Sequence, residues 1–191
     1  MGFAIARAAQ EAGATVTLVA GPVHLPTPRG VLRVDVKSAA NMLAQAVDSA
    51  GEATIFVATA AVADWRPASA AEQKIKKDAS GLPPALEFVE NTDILATLAQ
   101  SPRGKSGALY CVGFAAESHD LLQHATAKRI RKGVPLLVGN IGPATFGQDD
   151  NALLLVDAKG ATEIPRNDKL SLARQLVAEI ARRRNAAIAT T

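Results

Sequence analysis

Strands rich in β-branched residues alternate with amphipathic helices along the chain. That alternation predicts an α/β fold, a Rossmann-like, doubly wound, mostly parallel sheet with an antiparallel hairpin at its edge. Three observations carry the reading. Ala14–Ala20 (ATVTLVA), Thr54–Ala58 (TIFVA) and Pro135–Val138 (PLLV) show little polar alternation, as strands covered on both faces do. The segments between them repeat apolar residues at helical spacing. Hydrophobic residues make up 48% and aromatics only 4%, so the core is aliphatic, and 191 residues form one domain, 1–191, at roughly 150 residues per domain.

Taken in order, Phe3, Ala4, Ala8 and Ala9 recur with helical spacing, and Gly13 supplies a left-handed stop. The strand Ala14–Ala20 follows at once. Gly21-Pro22 and Pro26-Thr27-Pro28 stiffen a loop before the strand Val31–Val36. Ser38 caps a helix whose stripe is Met42, Leu43, Ala46 and Val47, and Thr54–Ala58 is the next buried strand.

Asp64 to Pro84 reads as a loop or flap bearing Lys74, Lys76 and Lys77. Leu86–Glu90 is a strand, and Thr92-Asp93 opens a helix from Ile94 to about Gln100. Pro102–Gly107 connects to the strand Ala108–Val112. A helix from about Asp120 to Lys132 ends at Gly133, and the strand Pro135–Val138 follows. Asn151–Val156 and Thr162–Ile164 form the edge hairpin. The last helix, about Asp168 to Arg184, carries Leu170, Leu172, Ala173, Leu176, Val177 and Ile180 on one side.

Open sheets of this class bind ligands beyond the carboxyl ends of their strands, so the residues after each strand are the candidate site. After Ala58 come Thr59, Ala60, Ala61, Val62, Ala63 and Asp64, small enough for a ligand to reach backbone amides. Asp64 there either binds a hydroxyl or hydrated metal, or serves as a turn residue. Thr92 and Asp93 either present helix-start amides to a phosphate or simply cap the helix. Gly113 and Phe114 place a ring against a base or ribose, or the ring is core. Lys128 and Lys132 are four apart and project from one helix face, as a polyphosphate clamp or as solvated lysines.

Other chemistries lack support. His24, His119 and His124 have no metal-ligand spacing, and there is no G-x-S-x-G elbow, P-loop or G-x-G-x-x-G. A net charge of +3 with few aromatics fits small phosphorylated ligands better than nucleic acid. No apolar run reaches the roughly 18 residues of a membrane span, and the start lacks a signal peptide's basic region, so a cytoplasmic protein is expected. The single cysteine, Cys111, forms no intramolecular disulfide and reads as a small buried hydrophobe. Physics alone reaches a phosphate- or nucleotide-binding α/β protein.

Eight ordered motifs go further: MGFAIA at Met1, VTLVAGPVHLPTP from Val16, AAVADW from Ala60, KIKK at Lys74, NTDIL at Asn91, VGFAAE at Val112, KRIRK at Lys128 and FGQDDNALLL from Phe146. Over almost the whole chain this pattern resembles the phosphopantothenate-cysteine ligase family, usually the C-terminal half of a bifunctional coenzyme A biosynthesis flavoprotein. The resemblance implies that CTP, with Mg2+, activates the carboxylate of 4'-phosphopantothenate as an acyl-cytidylate, which the amine of cysteine then attacks. By motif, Ala58, Thr59, Ala60 and Asp64 line the nucleotide site. Lys74 contacts the triphosphate as the catalytic residue. Thr92, Asp93, Ile94 and Leu95 offer backbone amides, and Phe114, Lys128 and Lys132 complete the set. No residue is assigned to the metal. A homodimer and association with a flavin-dependent decarboxylase domain are also implied, with no nucleic acid and no membrane.

The chain departs from the family pattern at its start. Members place a strand, a glycine- and threonine-containing loop and a segment ending S-N-x-S-S-G-K before MGFAIA, and that asparagine acts on the intermediate. The expectation is therefore a ligase domain lacking its first strand, with unpaired backbone and reduced stability. NTD also replaces the commoner NPD, and GNI replaces AND at Asn140. Two alternatives are a nucleotide-binding remnant without ligase activity and a nicotinamide-dependent oxidoreductase, the latter disfavoured by the missing dinucleotide fingerprint.

Overall fold

A computed structural model of the chain describes residues 1–69, 73, 85–117, 120–141 and 150–189. In chain order its elements are α1 (Gly2–Glu11), β1 (Thr17–Ala20), β2 (Leu32–Asp35), α2 (Ala39–Ala50), β3 (Ile55–Ala58), β4 (Trp65–Pro67) and β5 (Phe88–Glu90). There follow α3 (Ile94–Ala99), α4 (Pro102–Lys105), β6 (Tyr110–Glu117), α5 (Leu121–Lys132), β7 (Leu136–Ile141), β8 (Asp150–Asp157), β9 (Gly160–Asp168) and α6 (Lys169–Ile188). Local chemistry sets the boundaries. Gly13 at φ +87° lets the chain leave α1, and Gly133 at φ +68° closes α5 in the left-handed conformation that a side chain resists. Ser38, Asp93, Ser101 and Asp168 accept first-turn amides of α2, α3, α4 and α6.

The central sheet runs β3-β6-β7-β8-β9, parallel across β3, β6 and β7 and antiparallel from β7 through β9. β8–β9 is the expected edge hairpin. Alternate residues of the parallel strands serve opposite faces. Val112, Leu136 and Val138 meet Ile5 and Ala8 of α1 and Leu172, Leu176 and Ile180 of α6. Cys111, Ala115 and Leu137 meet Ala46 of α2, Leu95 and Leu98 of α3 and Ala125 of α5. Helices thus cover both faces, the doubly wound arrangement that the unalternating strands require.

β1 and β2 pair in parallel as a separate two-stranded sheet. The Val16 and Ala20 carbonyls accept from Leu32 and Val36, so parallel alternation turns the backbone groups of Thr17 and Val19 away from β2. The Thr54 carbonyl accepts from Tyr110, and by the same alternation Ile55 and Val57 turn away from β6. Among the described residues no strand pairs with either edge. Both edges share the same covering helices, since α1 and α2 touch β1 while Ile5 of α1 packs with Ile55 and Val57 and Ala46 of α2 packs with Phe56 and Ala58. Among the described residues the two sheets are joined by no ladder, only by the helices that they share.

Several sequence readings need correction. Trp65–Pro67, read as loop, pairs antiparallel with Phe88–Glu90 in a short ribbon. Pro102 starts α4, because proline suits the first helical turn, where no partner for its missing N–H is needed. β6 does not stop at Val112 but continues through Gly113 and Phe114 to Glu117, and Gly139 and Asn140 lie inside β7. Val47, read as part of the buried stripe of α2, is 46% exposed.

Candidate functional site

The loop after β3 is held against the turn before α3 by Asn91. Its backbone N–H donates to the Asp64 carbonyl at 2.7 Å, and its side-chain Nδ2 donates to the Ala63 carbonyl at 2.9 Å. Arg66 of β4 donates from one guanidinium nitrogen to the Glu90 carbonyl at 2.8 Å and to Asn91 Oδ1 at 3.1 Å. The four bonds use both polar ends of the amide, so its orientation is fixed. They join two segments that the sequence nominated separately, Thr59–Asp64 and Thr92–Leu95. Arg66 was not singled out by the sequence, and Asn91 entered only as the first letter of the Asn91-Thr92-Asp93 run and of NTDIL, with no role of its own.

Asp93 caps α3 through Oδ1, which accepts from the Ala96 N–H at 3.0 Å. Its Oδ2 accepts from the Lys132 ammonium, on the last turn of α5, in an ion pair. Burial pushes the Asp93 carboxyl up, but the Ala96 amide, the hydrogen bond and charge of Lys132, and the nearby Arg131 outweigh it and hold the pKa below the ordinary carboxylate value. Ile94 and Leu95 are buried in the core, so only their backbone is offered to a ligand.

Two glycines allow these helices to approach the sheet. A Cβ on Gly113 would lie 2.6 Å from Leu95 Cδ2 and 2.7 Å from Leu137 Cδ1; one on Gly139 would lie 2.8 Å from Leu121 Cδ1. Gly113 is also the register partner of Ala58. The end of β3, the start of α3 and the middle of β6 are thereby adjacent. On the α1 side, a Cβ on Gly2 would stand 2.7 Å from Thr59 Oγ1, so the first residues of α1 abut the same loop.

The structure places the other nominated residues as follows. Thr59 is half-buried; Ala60, Asp64 and Thr92 are exposed. Phe114, within β6, is half-buried and packs on the cluster beneath α1 and α6, the face opposite Leu95. Lys128 is half-buried and has a polar or charged partner. Lys74, Lys76 and Lys77, and the stretch 146–149, lie outside the described residues. Among the described residues no group of three or more His, Cys, Asp or Glu converges to hold a metal, and no helix is long and apolar enough to cross a membrane.

The family model described as DNA/pantothenate metabolism flavoprotein C-terminal domain matches residues 1–183. The coenzyme A biosynthesis bifunctional protein CoaBC of Vibrio cholerae is 44% identical over 176 residues, which is 91% of this chain and 43% of that protein. The Escherichia coli protein of the same name is 44% identical over 187 residues, 96% of this chain and 45% of its own length. The chain therefore spans less than half of the curated relatives it matches. A crystal structure of the C-terminal domain of CoaBC superposes with a TM-score of 0.76 at 30% identity, covering 94% of this chain and 79% of that one. With the fold, the ordered motifs and the family match in agreement, the chain belongs to the DNA/pantothenate metabolism flavoprotein C-terminal domain family.

Proposed function

We propose that the chain carries the phosphopantothenate-cysteine ligase activity of coenzyme A biosynthesis. The carboxylate of 4'-phosphopantothenate attacks the α-phosphorus of CTP and pyrophosphate leaves. The amine of cysteine then attacks the acyl carbon of the resulting acyl-cytidylate and CMP leaves, giving the amide. The observation that carries this reading is the junction beside the end of β3, where Asn91 ties the Thr59–Asp64 loop to the Asp93 turn, on whose carboxylate Lys132 is held.

In this reading the small side chains at Ala58, Thr59 and Ala60 let the nucleotide reach the main chain, and Asp64 receives a ribose hydroxyl. The amides at Thr92–Leu95, together with Lys74, Lys128 and Lys132, neutralise the triphosphate and the charge that builds on the departing pyrophosphate. Phe114 borders the nucleotide. A magnesium ion would be carried by the nucleotide rather than by a carboxylate cluster, since among the described residues no three His, Cys, Asp or Glu converge, and it would supply Lewis-acid polarisation of the phosphates. In the same reading the active unit is a homodimer associated with a flavin-dependent decarboxylase domain; a second activity beside this one agrees with the word bifunctional in the relatives' name.

A second reading, nucleotide binding without ligation, is favoured by the edges of β1 and β3, with which no described strand pairs. Pyrophosphate release with CTP, phosphopantothenate and cysteine separates the two when measured on this chain and on one extended upstream of Met1. Activity in both supports a self-sufficient ligase; activity only with the extension shows that residues beyond these 191 are needed; none in either sinks the ligase reading. Lys74→Gln in an active form lowers kcat strongly, and a near-normal kcat removes its catalytic role.

A further inference from the structure

Lys132 is not a free cation beside the start of α3. Its side chain is 18% exposed and its ammonium is committed to Asp93 Oδ2, while the other oxygen of the same carboxylate caps α3. Asp93 is charged at neutral pH, so the pair contributes no net charge toward an approaching anion. We infer that Asp93 is a selectivity and positioning residue. It holds Lys132 beside the start of α3 in a neutral pair that an incoming phosphate group must open before it gains the ammonium.

The inference rests on the nucleotide-site reading above but concerns a residue's side chain to which that reading gives no role. Competition for one ammonium favours ligands with enough charge to displace a carboxylate. A polyphosphate recovers the lost pairing through several oxygens, whereas a singly charged anion does not. The arrangement also predicts an uncommon sign, because removing the carboxylate tightens binding.

Asp93→Asn separates the two jobs of the side chain. Asparagine caps helices as well as aspartate does, so α3 keeps its first-turn bond while Lys132 loses its counter-charge. Calorimetry on the full chain with CTP and with inorganic tripolyphosphate should give about three- to tenfold tighter binding in D93N, an ordinary size for one charge at a partly exposed site. Binding should also become more sensitive to salt, with the melting temperature close to that of the parent. The gain should vanish in D93N/K132Q. Equal or weaker binding by D93N, or a gain that survives loss of Lys132, overturns the inference and leaves the nucleotide site standing. Absence of binding by both parent and D93N overturns the site and the inference together.

Discussion

The side-chain amide of Asn91 donates to the carbonyl of Ala63, 28 positions earlier, at 2.9 Å. That bond fixes the loop leaving β3 relative to the turn entering α3, so one side chain sets how two distant segments meet. Asn91→Asp keeps the acceptor that Arg66 uses and loses the donor. The expected result is a KM for nucleotide raised about tenfold with kcat little changed, at a stability cost of about 1 kcal/mol. Steady-state kinetics beside a denaturant melt decides it, and an unchanged KM removes Asn91 from any part in shaping the site.

Gly104 has no room for a side chain. A Cβ there would lie 2.3 Å from the Ala99 carbonyl oxygen and 2.4 Å from that of Leu98, both backbone atoms at the end of α3. Gly104→Ala therefore destabilises by about 1–3 kcal/mol, as overpacking against rigid neighbours does. Urea unfolding measures it; a midpoint equal to the parent's means that α3 and α4 separate freely.

Glu11 links α1 to α6. The hydrogen bond from Arg174, with a further one from Arg7, lowers its pKa from 4.5 to about 2. A depressed carboxylate adds stability that is fully present above the unfolded value and fades as pH falls through the folded one. The tie therefore weakens between pH 4.5 and about 2, and not near neutrality. Carbon-detected NMR titration of Glu11 tests this, and Arg174→Gln should move the transition upward. A transition at 4.5 in the parent means that the pairing is absent in solution.

Cys111 is 1% exposed in the middle of the core, and burial pushes its thiol up to about 11. Thiolate is the reactive form, so a disulfide reagent at pH 8 should label the native chain very slowly and the urea-unfolded chain at once. Rapid stoichiometric labelling of the folded chain contradicts the packing described for β6.

The elements that could be read from the letters were those whose residues decide their own conformation. PLLV lacks polar alternation because both its faces are covered, whereas ATVTLVA, written the same way, starts its strand only at Thr17, which is exposed, and TIFVA is half-buried at the sheet edge; Gly13 and Gly133 end helices at positive φ. The β4–β5 ribbon was hidden because each strand has three residues, too few for a periodic pattern. Gly113 suggested the end of a strand, whereas it is the point where β6 accepts Leu95 from the helix above. The motif resemblance nominated Asp93 and Lys132, but their pairing spans 39 positions and belongs to the packing of α3 against α5. No local spacing rule contains it.

The edges of β1 and β3, unpaired among the described residues, bear on the order in which the molecule comes apart. With no ladder joining the two sheets among the described residues, β1 and β2 are coupled to the remainder through the helices and connecting loops alone. Such a piece behaves as its own cooperative unit in hydrogen exchange, opening at a lower free energy than the β6–β7 core. The amides of Thr17 and Val19, on the edge that no described strand pairs with, should lose protection first, so the exchange boundary falls between the β1–β2 pair and the sheet that runs from β3 to β9.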